Sequence, residues 1–275
     1  MPSSPPRQVL VTGASSGLGA ATALAFHERG WTVHAAARRI ESMRGLASLG
    51  IHVHHLDVTD ETSMTALTSR IGDSHAPLDV LVNNAGIGVY GSVEEVPLSE
   101  ARRQFEVNLF GLARLTQLFL PAMREAGAGT IVNVSSIGGR VYTPMGAWYH
   151  ASKHALEGWS DCLRLEVAPF GIRVVIIEPG AIETEFAEIT IAPLLERSAG
   201  GPYAIFAEKM AAATRRTYHD KKASSPKPIG ELIVRAAEAR HPKTRYLVGH
   251  LARPVLWARR LLGDRGFDWM VRKFL

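Results

Sequence analysis

A glycine-rich turn held between two apolar runs limits the folds open to this chain more than any other feature. Residues 9–12 form a short apolar run, residues 12–19 read T-G-A-S-S-G-L-G, a helical pattern fills 18–29, and a second apolar run follows at 31–37. Short apolar runs bounded by turn residues read as buried strands, and a 3.6-residue period between them reads as a helix, so the segment is a β-α-β unit. The alternation returns along the chain. Apolar runs at 51–56 and 78–83 flank a helix through Met64 and Leu67; a long helix at 100–125, a strand at 130–135, a helix at 149–169 and a strand at 172–178 follow. A helix at 228–240 and a short strand at 245–248 come last. Strands that are apolar on both faces belong to a parallel sheet with helices on each side. The expected fold is therefore α/β and doubly wound, with a seven-stranded, mostly parallel sheet.

Residues 184–225 break the pattern, with Pro193, Gly200, Gly201 and Pro202 among many alanines, and are expected to form a mobile helical flap. With no linker and no repeat beyond the alternation, residues 1–275 read as one domain ending in a basic amphipathic tail at about 250–275. No apolar stretch reaches the ~18 uninterrupted residues of a membrane helix. Residues 1–7 are too short for a signal peptide, so the expected compartment is the cytoplasm. The single cysteine, Cys162, excludes an intrachain disulfide and a cysteine-based metal site; within a helical pattern it is expected to be a small buried thiol.

Glycine permits tight turns and close backbone approach, and the helix that begins here offers unpaired N–H groups to an anion. Gly13, Ser15, Ser16, Gly17, Leu18 and Gly19 are thus expected to cradle a pyrophosphate, the alternative being a plain strand-to-helix turn. The second apolar run ends in Arg38 and Arg39 with no carboxylate beside them. An acidic residue there would suit the ribose hydroxyls of NAD(H), whereas arginine accommodates an extra 2′-phosphate, so NADP(H) is favoured over NAD(H). Asp57 and Val58 follow the third strand, with Asp57 placed to accept from an adenine amino group, and Asn83, Ala85 and Gly86 end the fourth. These strand ends are where open α/β sheets bind ligands, although short polar residues there also cap helices.

Tyr149 and Lys153 stand four residues apart in a helical pattern, so their side chains share one face. A neighbouring cation favours the phenolate, so Lys153 is expected to lower the pKa of Tyr149, which acts as acid and base. Ser136 lies thirteen positions before the tyrosine.

Taken in order, T-G-A-S-S-G-L-G, N-N-A-G at 83–86, Ser136 with Tyr149-x-x-x-Lys153, and Pro179-Gly180 resemble the motifs of short-chain dehydrogenases/reductases, over residues 7 to about 249. That resemblance implies a Rossmann fold and a catalytic tetrad of Asn108, Ser136, Tyr149 and Lys153. Ser136 would hold the substrate oxygen, with Ser135 as the neighbouring alternative; Asn108 would hold water leading to Lys153, which would also bind the nicotinamide ribose. Pro179, Gly180, Ile182 and Thr184 would contact the coenzyme, Thr184 being also an ordinary N-cap. The implied reaction interconverts a carbonyl and an alcohol. A pocket including Ser136, Tyr142, Met145, Trp148 and Phe186 suggests a lipophilic substrate, and the extended tail is similar to the hydroxysteroid and retinol dehydrogenase branch. A homodimer or homotetramer is expected, with no metal and no nucleic acid. The alternatives are a catalytically silent nucleotide sensor on the same fold and a sugar-nucleotide epimerase or dehydratase.

Charge is uneven. From Arg240 onward nine Lys and Arg stand against two Asp, whereas the preceding residues carry 22 basic and 24 acidic side chains. The favoured use of the tail is packing at a subunit interface or over the pocket; a peripheral contact with an anionic membrane is the alternative.

Overall fold

The computed structural model describes residues 7–72, 77–219 and 223–274. Residues 1–6 of the leading segment and 220–222 of the flap lie outside the described residues. Strands β1 (Gln8–Thr12), β2 (Thr32–Ala37), β3 (His52–His55), β4 (Val80–Asn83), β5 (Gly129–Val134), β6 (Ile172–Pro179) and β7 (Arg245–Val248) form one sheet in the order β3-β2-β1-β4-β5-β6-β7. Among the described residues its six strand pairings are all parallel. The direction of winding reverses between β1 and β4, and a crevice opens above their carboxyl ends.

The two-residue period of β1 feeds both layers. Val9 and Val11 pack with Phe26 of α1 (Gly17–His27) and Ile233 of α9 (Pro226–Glu238). Leu10, between them, packs with Leu67 of α3 (Glu61–Gly72) and Leu115 of α5 (Leu112–Ala126) on the other face. All seven side chains are buried, so each face is covered as the apolar runs require. The short helix α2 (Arg44–Ala47) lies between β2 and β3.

The helix expected over 100–125 and the burial expected of Cys162 differ from the sequence reading, while the flap and tail are helical. The helix expected over 100–125 begins as α4 (Leu98–Phe105), widens to a π-helical turn at Glu106–Gly111, and resumes as α5. The close approach of Val58 explains the glycine at 111, where a Cβ would lie 2.2 Å from the Val58 carbonyl oxygen. The flap is two helices, α7 (Phe186–Ser198) and α8 (Ala204–His219). Cys162 is exposed, because the buried stripe of α6 (Ala147–Val167) runs through Leu156, Ser160, Leu163 and Val167 and leaves position 162 outside. The tail is helix α10 (Ala252–Phe274), broken at Gly263. Among the described residues no helix is long and apolar enough to cross a membrane.

Edge strand β7 is tied to α6 by charge. Arg245 reaches Glu157 at 3.0 Å, Asp161 at 2.6 Å and Glu178 at 3.3 Å, and Glu178 also meets Arg140 at 3.0 Å. Burial pushes the Glu157 carboxyl up and neighbouring Glu178 adds to this, while Arg245 opposes both.

A histidine pair joins β2 to β3. His34 Nδ1 lies 3.0 Å from His54 Nε2, and His34 Nε2 lies 3.1 Å from Gln8 Oε1. The glutamine oxygen accepts, so His34 carries its proton on Nε2 and takes the His54 proton on Nδ1; both rings are neutral. Burial is the main reason that each histidine is lowered to about 4, with His54 and His52 adding for His34, and Arg70 and His52 for His54. The unfolded chain binds these protons near pH ~6.5, so the stability the neutral pair provides is complete above that value and is lost as pH falls toward about 4. The unfolding free energy from urea titrations is expected to drop across this window by on the order of a few kcal/mol, and the double variant His34→Gln/His54→Gln should flatten the profile.

Candidate active site

The crevice holds a cavity of about 570 Å³. Its walls bring together Gly13, Ser15, Ser16, Gly17, Leu18, Gly19, Arg38, Arg39, Asp57, Val58, Ala85, Gly86, Ser136, Tyr149, Pro179, Gly180, Ile182, Thr184 and Phe186, drawn from sites spread across the first 186 residues.

The glycine-rich end of the cavity is built on backbone. Gly13 and Gly17 take φ of +66° and +54°, which side chains resist. Ser16 precedes α1 in an extended conformation and makes no side-chain capping bond. The first N–H groups of a helix have no intrahelical acceptor, so they remain available beside the cavity. A Cβ on Gly19 would stand 2.3 Å from Gly13 O, so this glycine serves close turn-to-helix packing. A Cβ on Gly17 would meet Thr184 Cγ2 at 2.9 Å, which places Thr184 against the turn.

Thr12 and Asn84 fasten the turn to β4. Asn84 Nδ2 donates to Thr12 O at 2.9 Å, and the N–H groups of Asn84 and Ala85 donate to Thr12 Oγ1, each at 3.0 Å. Asn83, expected at the coenzyme, faces the other way: its Nδ2 donates to Thr116 Oγ1 at 3.1 Å and Asn133 Oδ1 at 2.9 Å inside the protein. Consecutive strand residues point to opposite faces, so of the two asparagines it is Asn84 that lines the cavity.

Arg38 and Arg39 stand exposed at the end of β2, and Arg39 lies 3.8 Å from Glu185. Asp57 Oδ1 accepts from Thr59 N at 3.0 Å and Thr59 Oγ1 at 2.8 Å. Burial pushes the Asp57 carboxyl up, but the Thr59 bonds and the Arg38 charge outweigh it and hold the group below its ordinary value. These bonds also fix the carboxylate as the cap of its own loop.

At the far end of the cavity Tyr149 lies on the buried stripe of α6 together with Lys153. The Tyr149 ring lies 5.5 Å from that of Tyr90 and 5.6 Å from that of Phe186. Burial holds the phenol above its ordinary value, and the Ser136 hydroxyl beside it pulls the other way. Ser136 itself accepts from Gly138 N at 3.0 Å as the cap of a 3₁₀ turn. Ser135 also lines the cavity, but Ser136 is the one at the phenol. Lys153 Nζ donates to Val134 O at 3.0 Å, and burial lowers it to about 8 against the opposing charge of Glu157. The expected downward pull of Lys153 on Tyr149 is therefore not what governs the phenol: the ammonium is turned to a carbonyl, and desolvation dominates.

Asn108 sits in the π-helical turn, wholly buried. Its Oδ1 accepts from Ile87 N and its Nδ2 donates to Ile87 O, both at 2.9 Å, with a third bond to Ser152 Oγ at 3.0 Å. It locks the segment leaving β4 to α6. A Cβ on Gly86 would lie 3.3 Å from Asn108 Oδ1 and 3.7 Å from Lys153 Nζ, so both groups face that glycine.

Three expected substrate contacts lie outside the cavity walls. Tyr142 donates to Asp268 Oδ1 at 2.9 Å and packs edge-on against Phe267, because α10 folds back over it. Met145 packs with Leu194, Ala207 and Met210 behind Tyr90, and Trp148 is half-buried in the first turn of α6. Conversely, Tyr218 of α8 and Arg103 of α4 reach the cavity without any sequence signal. Tyr218 is raised chiefly by burial and then by Tyr149.

A doubly wound sheet whose crevice joins a glycine-lined anion cradle to a buried tyrosine and lysine on one helix defines a dinucleotide-dependent oxidoreductase. The chain belongs to the short-chain dehydrogenase/reductase family, matching the short chain dehydrogenase family over residues 7–192. It is 35% identical to an uncharacterized oxidoreductase of Bacillus subtilis, over 97% of each chain. It is 34% identical to an NADPH-dependent 3-dehydrocapnine reductase of Ornithobacterium rhinotracheale, over 98% of this chain and 97% of the other. A crystal structure of a short-chain dehydrogenase from Streptomyces avermitilis superposes with a TM-score of 0.80 at 34% identity, covering 98% of this chain and 97% of that one.

Proposed function

We propose that this protein is an NADP(H)-dependent oxidoreductase that interconverts a carbonyl and an alcohol on a lipophilic substrate, with Tyr149 as general acid and base. The observation that carries it is one continuous cavity running from the Gly13–Gly17 turn and Arg38 to Ser136 and Tyr149. A dinucleotide phosphate suits the residues present: two positive-φ glycines, an uncapped helix start, and two arginines with no carboxylate at the end of β2. The NADPH dependence named for the Ornithobacterium relative supports the same coenzyme.

The dinucleotide supplies or takes the hydride. Ser136 Oγ donates a hydrogen bond to the substrate oxygen and holds it at the phenol. Tyr149 Oη gives its proton to that oxygen in reduction and takes one from the alcohol in oxidation. Burial keeps the phenol neutral, which is the donating form. Lys153 places a positive charge one helical turn from Tyr149, where it steadies the phenolate left by proton transfer and orients the coenzyme ribose. Asn108 acts as a positioning residue, holding Ile87 against α6. Phe186, Ile189 and Tyr218 give the substrate end aromatic and aliphatic walls, which favour a lipophilic substrate. We also read the chain as a homo-oligomer, since Phe110 on the π-helical turn and Leu165 on neighbouring α6 are exposed.

A turnover screen of NADPH and NADH against steroid, retinoid, quinone and aliphatic carbonyls tests this reading. NADPH-dependent reduction of an apolar carbonyl is expected; tight NADPH binding with no turnover across the panel would favour the nucleotide-sensing alternative. In Arg38→Asp the preference for NADPH over NADH should fall by about tenfold or more, the loss of a charged hydrogen bond of ~1.5–3 kcal/mol. An unchanged ratio would remove Arg38 from coenzyme selection.

A further inference from the structure

Each half of α10 carries the same exposed motif. Arg253, Trp257 and Arg260 precede the break at Gly263, and Arg265, Trp269 and Arg272 repeat the spacing after it. Residues at i, i+4 and i+7 share one helical face, so each tryptophan is flanked along the axis by two guanidinium groups. Trp257 is 58% exposed and Trp269 60%.

These faces are not awaiting burial in the protein itself. Leu256 and Phe267 are the buried anchors of the two halves, packed with Val141 and partly buried Tyr142. The two carboxylates of the helix are engaged elsewhere: Asp264 pairs with Arg259 at 2.6 Å, and Asp268 accepts from Tyr142 at 2.9 Å. No ion pair involves Arg253, Arg260, Arg265 or Arg272 among the described residues. The motif thus presents apolar rings and unneutralised cations together, on the most basic part of the chain.

We propose that α10 docks the protein on an anionic lipid bilayer, with both tryptophans at the headgroup level and the arginines against lipid phosphates. Indole rings with a wet edge and an apolar body suit that boundary, and arginine pairs with phosphate through two parallel bonds. Charge separates this occupant from a second copy of the chain. In a two-fold contact each face would meet its own arginines, and like charges would oppose the association.

The test uses the full chain and vesicles of equal parts phosphatidylcholine and phosphatidylglycerol, with pure phosphatidylcholine vesicles as reference. Co-sedimentation and a blue shift of tryptophan emission are expected with the anionic vesicles alone, weakening as salt is added. Trp257→Ser/Trp269→Ser and Arg253→Gln/Arg260→Gln/Arg265→Gln/Arg272→Gln should each weaken partitioning at least ~10-fold. Their melting temperatures should stay unchanged, since every substituted group is exposed. Equal sedimentation with both vesicle types, or unchanged binding by the variants, would overturn the proposal. So would an oligomer, seen by light scattering, that the tryptophan variant dissociates while vesicles bind neither protein; the face would then belong to a second copy. Vesicle binding is read without turnover, so its failure leaves the proposed chemistry untouched.

Discussion

Tyr149→Phe is expected to lower turnover at least ~100-fold while coenzyme affinity stays near that of the unaltered protein. The change removes one hydroxyl and nothing else. The remaining ring still fills the space between Tyr90 and Phe186, at centroid distances of 5.5 and 5.6 Å, so packing is conserved. Lys153 keeps its bond to Val134 O at 3.0 Å, which does not involve the phenol. Only the proton donor is gone, and water is a poor substitute in a pocket that buries the residue. Steady-state kinetics beside a fluorescence titration of NADPH separates the two quantities. Turnover within a few-fold of the unaltered protein would take Tyr149 out of the proton path.

Gly19→Ala is expected to be severely damaging at the glycine-rich turn. Its Cβ would fall 2.3 Å from Gly13 O and 2.6 Å from Asn84 Nδ2, well inside contact distance. The first atom is backbone in a turn already fixed by the positive φ of Gly13, and the second belongs to a side chain bonded to Thr12 O, so neither yields easily. Relief requires α1 to move off the sheet, where Leu18, Ala23 and Phe26 are buried. A loss of about 3 kcal/mol or more and failure to bind NADPH are expected, as for other overpacked sites. Gly45→Ala is the matched control: no atom lies within 4 Å of its Cβ, and alanine in a helix is worth roughly 0.5–1 kcal/mol over glycine. Equal chemical-denaturation midpoints for the two variants would refute the packing role of Gly19.

The sheet was legible because parallel strands bury both faces and so announce themselves as unbroken apolar runs; β7 falls on its expected residues, 245–248. The glycine-rich turn and the Tyr149–Lys153 pair were legible for a similar reason, since local spacing fixes what they face. Features set by phase or by distant contacts were hidden. Asn83 and Asn84 are alike in composition and differ only in which face the end of β4 gives each. Cys162 sits among apolar residues yet falls one step off the buried stripe. Tyr142 looks like a pocket residue until a helix more than a hundred positions later folds over it and bonds its hydroxyl. The π-helical turn that aims Asn108 depends on Gly111 passing the Val58 carbonyl, a contact with no local signature.

Arg245 ties the sheet's last strand to a helix that lies far earlier in the chain. Without it Glu157 and Glu178 would stand as two neighbouring acids, with Arg140 paired to Glu178. The helix that carries Tyr149 is therefore fastened at the sheet's edge by a side chain 88 positions further along the chain.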